Sequence, residues 1–172
     1  MFQSTIFVNQ GFGVPGELFT DSPHTATPYT IVSALESYNI IGATACTIVS
    51  QGVCKAGSTG TLGFAGILVN PKNQALFGVA NVPLDPTLTV NNNMPVACAT
   101  MGVVIVTLPA GAAIGDRVIY DNTTGALSTI TPVAVLPVGK TYANAIVSNF
   151  TVAGAGLAVI TINPTYVIPQ PA

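Results

Sequence analysis

Short apolar runs separated by Gly, Pro and Asn dominate this sequence, and they decide its fold class. Runs of this kind at close spacing, with turn residues between them, are typical of β-sandwiches and β-barrels. The 21 threonines point the same way, because Thr fits the half-buried surface of a pleated sheet. We therefore predict an all-β fold, a sandwich or barrel of jelly-roll-like type, with about nine or ten short strands and an extended N-terminal segment.

The turn signals also predict where individual elements lie. The clearest signal is a hairpin, in which strands at 117–120 and 126–130 flank the turn Asp-Asn-Thr-Thr-Gly. Asp and Asn start turns through their side chains, and Gly accepts a positive φ. Residues 30–37 are the one predicted helix, and the Gly- and Pro-rich residues 11–28 are predicted to run over the surface. Further strands are predicted at residues 2–10, 44–51, 62–70, 75–80, 87–90, 96–108, 143–148 and 157–162.

At this length we predict one β domain at 29–172, preceded by an extended strand or arm and a loop at 1–28. No Lys or Arg precedes Lys55, so we expect no secretory signal and synthesis in a cytoplasm. The charge-free residues 86–115 are long enough to cross a membrane, but their prolines and β-branched residues favour a buried strand. We therefore predict no membrane partner.

Charged residues are scarce in this chain. Four basic and six acidic side chains make up 6% of the residues, against roughly 25% in a typical soluble domain. Four scattered cations cannot neutralise a phosphate backbone, which argues against nucleic acid as a partner. A surface so poor in charge is also poorly protected against association. We therefore expect the chain to associate with itself, as a homodimer or a homotrimer.

The sequence contains no arrangement of residues that predicts catalysis. His24, the single histidine, lies in a Pro-rich turn. Glu17 and Asp21 lack the aromatic-walled cleft in which a pair of glycosidase carboxylates works. The Gly-rich residues 57–63 lack the lysine of a phosphate-binding loop and precede a strand-like run, not a helix. We therefore predict a structural protein without catalytic residues or a bound cofactor.

Three cysteines, Cys46, Cys54 and Cys98, are present. Their spacing contains no Cys-x-x-Cys motif, so it gives almost no support to a zinc site. In a product of the cytoplasm, cysteines are by default buried and reduced. We therefore predict no metal site.

The chain opens with Met-Phe-Gln and a short apolar run, followed by Val-Pro-Gly-Glu-Leu-Phe at 14–19 and a Ser-Pro turn at 22–23. These motifs resemble the start of the structural cement proteins of tailed-bacteriophage heads, a kind of capsid decoration protein. Residues 63–69 look like the Gly-Phe strand of that family, and residues 108–125 are similar to its later hairpin. The resemblance therefore extends over most of the chain.

The resemblance implies a non-enzymatic virion protein on the outer surface of an assembled capsid. Such a protein would bind the major capsid protein and clamp neighbouring subunits together. The residues alone leave two alternatives open. One is a β-sandwich of a phage or bacterial surface that binds a receptor or a glycan, and the other is a further virion protein such as a tail component.

We predict that the N-terminal segment 2–19 contacts a neighbouring subunit, either capsid or a second copy, and does not close the protein's own core. An extended strand can add to the sheet edge of a partner through main-chain hydrogen bonds. The alternative is that residues 2–10 form an ordinary edge strand of the protein's own sandwich. The predicted contact residues are Phe2, Ile6, Val8, Phe12, Leu18 and Phe19.

Overall fold

One long strand organises the fold. The computed structural model describes residues 13–18, 23–58, 62–70 and 89–163, and over these ranges it confirms the all-β class, with a single 3₁₀ turn at Glu36–Tyr38. No helix in these ranges has the length and apolar character that crossing a membrane requires. The described strands are β1 (Thr25–Ile31), β2 (Ala45–Ser50), β3 (Val53–Ala56), β4 (Phe64–Val69), β5 (Pro95–Leu108), β6 (Arg117–Asp121), β7 (Leu127–Ile130), β8 (Lys140–Val147) and β9 (Gly156–Ile162).

The first half of β5 completes a five-stranded barrel. The strands follow the order β1-β3-β2-β4-β5, and β5 pairs again with β1, so the ring closes. The pair β1–β3 is parallel, and the other pairs of the ring are antiparallel. Closure leaves these five strands without a free edge.

The second half of β5 belongs to a separate antiparallel sheet with the order β5-β9-β8-β6-β7. Gly102 lies where β5 leaves its pairing with β1 and begins its pairing with β9. Its φ is +122°, and a Cβ at this position would lie 2.7 Å from the Cβ of His24. Glycine tolerates both conditions, which allows one strand to serve both sheets.

Two apolar clusters fill the fold, because successive strand residues point to opposite faces. On β2, for example, Ala45 points to the cluster between the barrel and the second sheet, whereas Cys46 points into the barrel. The larger cluster contains Ile67 and Val69 from the barrel wall and Val118, Tyr120 and Ile160 from the sheet facing it. The barrel interior holds Ile31, Ile41, Cys46, Cys54, Ala65, Leu68, Val96 and Cys98.

The predicted hairpin at 117–130 is confirmed as β6 and β7. Asp121 starts the turn, because its Oδ1 accepts hydrogen bonds from the backbone N–H groups of Thr123 and Thr124, both at 2.9 Å. The paired residues run from Arg117 with Ile130 to Tyr120 with Leu127. The strands predicted at 44–51, 62–70, 96–108, 143–148 and 157–162 are confirmed as β2, β4, β5, β8 and β9.

The helix predicted at 30–37 is wrong. Its first two residues end β1, and the next two donate their backbone N–H groups to residues distant in sequence. Val32 N–H donates to Cys54 O at 2.9 Å, and Ser33 N–H donates to Asn92 Oδ1 at 2.9 Å. Pairing of Thr30 and Ile31 with β3, together with these two long-range hydrogen bonds, holds the start of the segment in a non-helical path, and only the 3₁₀ turn at Glu36–Tyr38 forms.

Two strands were not predicted. β1 follows a Pro-rich stretch, and β3 is four residues long with Lys55 inside it. The predicted strands at 2–10 and 75–80 lie outside the described residues. β1 spans the predicted division between residues 1–28 and 29–172, and this division stays a prediction.

Candidate functional site

The described part of the N-terminal segment lies along β5 of the same chain. Gly16 N–H donates to Ile105 O at 2.8 Å, and Ile105 N–H donates to Glu17 O at 2.9 Å. Leu18 forms an antiparallel bridge with Val104 and packs against the larger apolar cluster. The segment therefore adds to the protein's own sheet, and its Leu18 covers part of the protein's own core.

This placement corrects one part of the sequence interpretation. The segment was expected to stay off the protein's own core, and at Leu18 it does not. The contact of Leu18 with a partner stays a prediction. The same holds for the other five residues, which lie outside the described ranges: Phe2, Ile6, Val8, Phe12 and Phe19.

A surface feature that the sequence interpretation missed is the connection between β7 and β8, residues 131–139, which we call the valine crossover. Both strands pair antiparallel with β6, so they are parallel to each other and the connection must cross β6. Ile119 of β6 is only 3% exposed, although its neighbours Val118 and Tyr120 face the core on the opposite side. A crossover over the outer face of β6 accounts for this burial.

The valine crossover directs apolar side chains into solvent. Val133, Val135 and Val138 are 93%, 79% and 104% exposed. Backbone hydrogen bonds hold both ends of the crossover, from Ala134 N–H to Thr131 O at 3.1 Å and from Lys140 N–H to Pro137 O at 3.2 Å. Three valines exposed to this extent within six residues make the valine crossover a candidate for burial against a partner.

The barrel interior contains a second candidate, a cluster of three thiols. Cys46 on β2, Cys54 on β3 and Cys98 on β5 are fully buried, and their Sγ atoms all lie within 4.8 Å of one another. The Sγ atoms of Cys54 and Cys98 are 4.0 Å apart. The sequence spacing did not predict this group, because closure of the barrel, not proximity along the chain, brings the cysteines together.

Hydrogen bonds among the thiols separate their acidities. Those from Cys46 and Cys98 lower the pKa of Cys54. The hydrogen bonds with the other thiols, and burial in addition, place the pKa of Cys98 well above its usual range. The hydrogen bond with Cys54 is also the main cause of the raised pKa of Cys46. The hydrogen bonds thus make Cys54 the most acidic thiol of the three.

The residues considered for catalysis do not converge on a site within the described ranges. Glu17 accepts a hydrogen bond at Oε2 from Val14 N–H at 3.1 Å, which closes a local turn. His24 lies beside Gly102 on the surface. The loop after β3 packs on the β6–β7 turn, where Ser58 N–H donates to Asn122 O at 2.9 Å. Asp21 lies outside the described residues.

Comparison with known proteins gives a family match. The model of the structural cement protein family (E217 gp24/Pam3 gp6) matches residues 2–163. Among solved structures, the chain is similar to one from the capsid of Myoviridae phage XM1, with 15% identity and a TM-score of 0.57 over 94% of this chain and 97% of that one. It also aligns with the head fibre gp8.5 N base of bacteriophage phi29, with 8% identity and a TM-score of 0.40 over 83% and 96%. No curated protein matches the sequence.

Proposed function

Because this chain belongs to the structural cement protein family of phages, we propose that it attaches to the outer surface of a capsid and holds neighbouring major capsid subunits together. Membership makes it a structural virion protein that binds capsid proteins, in agreement with the resemblance of its N-terminal motifs. The outer location, the clamping of subunits and synthesis in the host cytoplasm belong to the proposal.

The valine crossover is the observation that supports a specific docking surface. Val133, Val135 and Val138 contribute nothing to the protein's own core, because water surrounds them. Burying a valine side chain in an interface yields about 1.5 kcal/mol or more. Full burial of three valines would therefore supply about 4.5 kcal/mol or more for contact with an apolar surface of the capsid.

Attachment of this kind stabilises the shell by mass action. A ligand that binds the assembled shell, and not its separated subunits, shifts the equilibrium towards the shell. Such stabilisation requires no catalysed reaction. It requires only a non-covalent contact that spans neighbouring capsid subunits. Repetition of one weak apolar contact over many copies makes the total stabilisation large.

The proposal includes two further contacts. The proposed contacts with a neighbouring subunit are made by the N-terminal residues Phe2, Ile6, Val8, Phe12, Leu18 and Phe19, of which Leu18 also packs on its own domain. The protein is also proposed to form a homodimer or a homotrimer, which native mass spectrometry of the purified chain would measure. A monomer at micromolar concentration would contradict self-association in solution.

The test replaces Val133, Val135 and Val138 together by Ser and measures cosedimentation with capsids that lack the protein. A loss of about 1 kcal/mol for each side chain weakens binding about 100-fold. The matched control replaces Val32 and Val49, which are 42% and 39% exposed and lie on or beside the barrel, by Ser. We expect the control to bind like the unchanged protein.

Urea unfolding accompanies both variants. Because the three valines are exposed, we expect the free energy of unfolding to change by less than about 0.5 kcal/mol. Unchanged capsid binding of the triple variant would refute the crossover as the docking surface. Equal losses in the triple variant and in the control would show that exposed valines act non-specifically.

A further inference from the structure

The three sulfur atoms in the barrel are spaced like the ligands of one small metal ion. A metal–thiolate bond of about 2.3 Å places three sulfurs around a central ion about 4.0 Å apart. The Sγ atoms of Cys54 and Cys98 already have this separation, 4.0 Å, and all three Sγ atoms lie within 4.8 Å of one another. Small side-chain rotations would complete the triangle, with no rearrangement of the strands.

Within the described part of the chain, the surroundings of the sulfurs offer no fourth side-chain ligand. The chain has no fourth cysteine, and its only histidine, His24, lies beside Gly102 at the surface. Within the described ranges no carboxylate joins the sulfur atoms. The neighbouring side chains are apolar, among them Ile31, Leu68 and Val96. Structural zinc sites take four ligands, whereas soft thiolates also select copper(I).

We propose that the barrel interior binds one copper(I) ion through the Sγ atoms of Cys46, Cys54 and Cys98. The ion arrives as copper(I), so no electron is transferred. At each thiol that becomes a ligand, the S–H bond breaks, the proton leaves to solvent, and the sulfur electron pair forms the bond to copper. Bound copper would connect β2, β3 and β5, three of the five strands of the barrel.

Burial of the sulfurs predicts when the ion enters. All three cysteines are fully buried in the closed barrel, so loading occurs as the chain folds. The full-length protein is therefore refolded without oxygen, with copper(I) buffered by bicinchoninate. Native mass spectrometry counts the metal, X-ray absorption at the copper edge identifies its ligands, and thermal unfolding reports stability. We expect one copper per chain, three sulfur ligands and a raised unfolding midpoint.

Two variants identify the site. Replacing all three cysteines by Ala should abolish stoichiometric binding and the rise of the midpoint. Met94→Leu removes an exposed sulfur elsewhere and should bind copper(I) like the unchanged chain. Circular dichroism establishes whether the triple variant folds. If it does not fold, the ligand number from X-ray absorption of the unchanged chain decides the question alone.

Several results would overturn the proposal. One is the absence of bound copper(I) when a thiol assay on the denatured protein finds all three cysteines reduced. Others are coordination by fewer than three sulfurs, preference for zinc over copper(I) in direct competition, and copper that stays bound to a folded triple variant. Copper that binds without raising the unfolding midpoint would indicate a site on the surface. That result would also refute the barrel interior as the copper(I) site.

Discussion

Shortening Leu18 to Ala should lower the free energy of unfolding by about 1.5 kcal/mol. Replacing a fully buried Leu by Ala costs about 2 to 5 kcal/mol, because apolar contact is lost and a cavity remains. Leu18 is only half-buried against the larger cluster, so the cost falls below that range. The backbone hydrogen bonds of Gly16 and Glu17 with Ile105 remain in the variant, which confines the loss to the side chain.

Urea unfolding at neutral pH measures this change, and a thermal scan should show a midpoint about 3 to 6 °C lower. Leu35→Ala is the matched control, because Leu35 is 53% exposed and belongs to neither apolar cluster. We expect the control to cost less than about 0.5 kcal/mol. If Leu18→Ala leaves stability unchanged but weakens capsid binding or self-association, Leu18 belongs to a partner contact and its place on the core is refuted.

Three further predictions concern solution conditions. The backbone N–H of Thr124 is the main cause of the lowered pKa of Asp121, so this carboxylate stabilises the fold above pH about 4. Asp121→Ala should therefore cost about 1 kcal/mol at pH 7 in urea unfolding, and this difference should vanish as the pH falls through the lowered pKa. Burial raises the pKa of Tyr120 to about 12, so stability should fall between pH about 10 and 12, and the fall should be smaller in Tyr120→Phe than in the unchanged protein. Capsid binding should change less than about tenfold between low and high NaCl, because exposed ion pairs contribute about 0 to 1 kcal/mol each, and release of most copies by moderate salt would contradict this.

Local signals in the sequence were sufficient for much of the fold. The turn at Asp121 is predictable from local sequence, because the Asp121 side chain accepts hydrogen bonds from the backbone N–H groups two and three residues later. The strand at 96–108 is a mainly apolar run interrupted by Thr100 and Thr107, and most of its residues are buried, as expected of a central strand. The predicted helix at 30–37 failed because Asn92 and Cys54, distant in sequence, determine the hydrogen bonds there.

The candidate sites depend on contacts between distant residues, so the sequence predicted neither. The thiol cluster exists because β5 pairs back with β1, and no spacing rule anticipates a ring closed in this way. For the valine crossover a signal was present in the form of valines between Pro132 and Pro137, in a stretch too rich in proline for a central strand. Apolar residues in such a stretch do not belong to a sheet, so no sheet packing buries their side chains.

The β6–β7 turn joins the barrel to the valine crossover, which is the proposed docking surface. The barrel braces the turn, since Ala45 N–H donates to Gly125 O at 2.9 Å. The same turn also holds the C-terminal end of the valine crossover, because Asn122 N–H donates to Gly139 O at 2.9 Å. A disturbance at Gly125 should therefore reach both the stability of the fold and the docking surface.

Gly125→Ala tests this connection. A Cβ there would lie 2.5 Å from the backbone O of Ala45, and the φ of +74° adds strain, so we expect a loss of about 3 kcal/mol in urea unfolding and weaker capsid binding together. Gly139→Ala is the control, because a Cβ at Gly139 meets no atom within 4 Å. Its φ of +80° is then the only source of strain, and we expect it to lower the free energy of unfolding by about 1 kcal/mol. Equal costs for the two variants would show that the barrel does not brace the turn. A loss of stability in Gly125→Ala with unchanged capsid binding would show that the crossover keeps its shape without that brace.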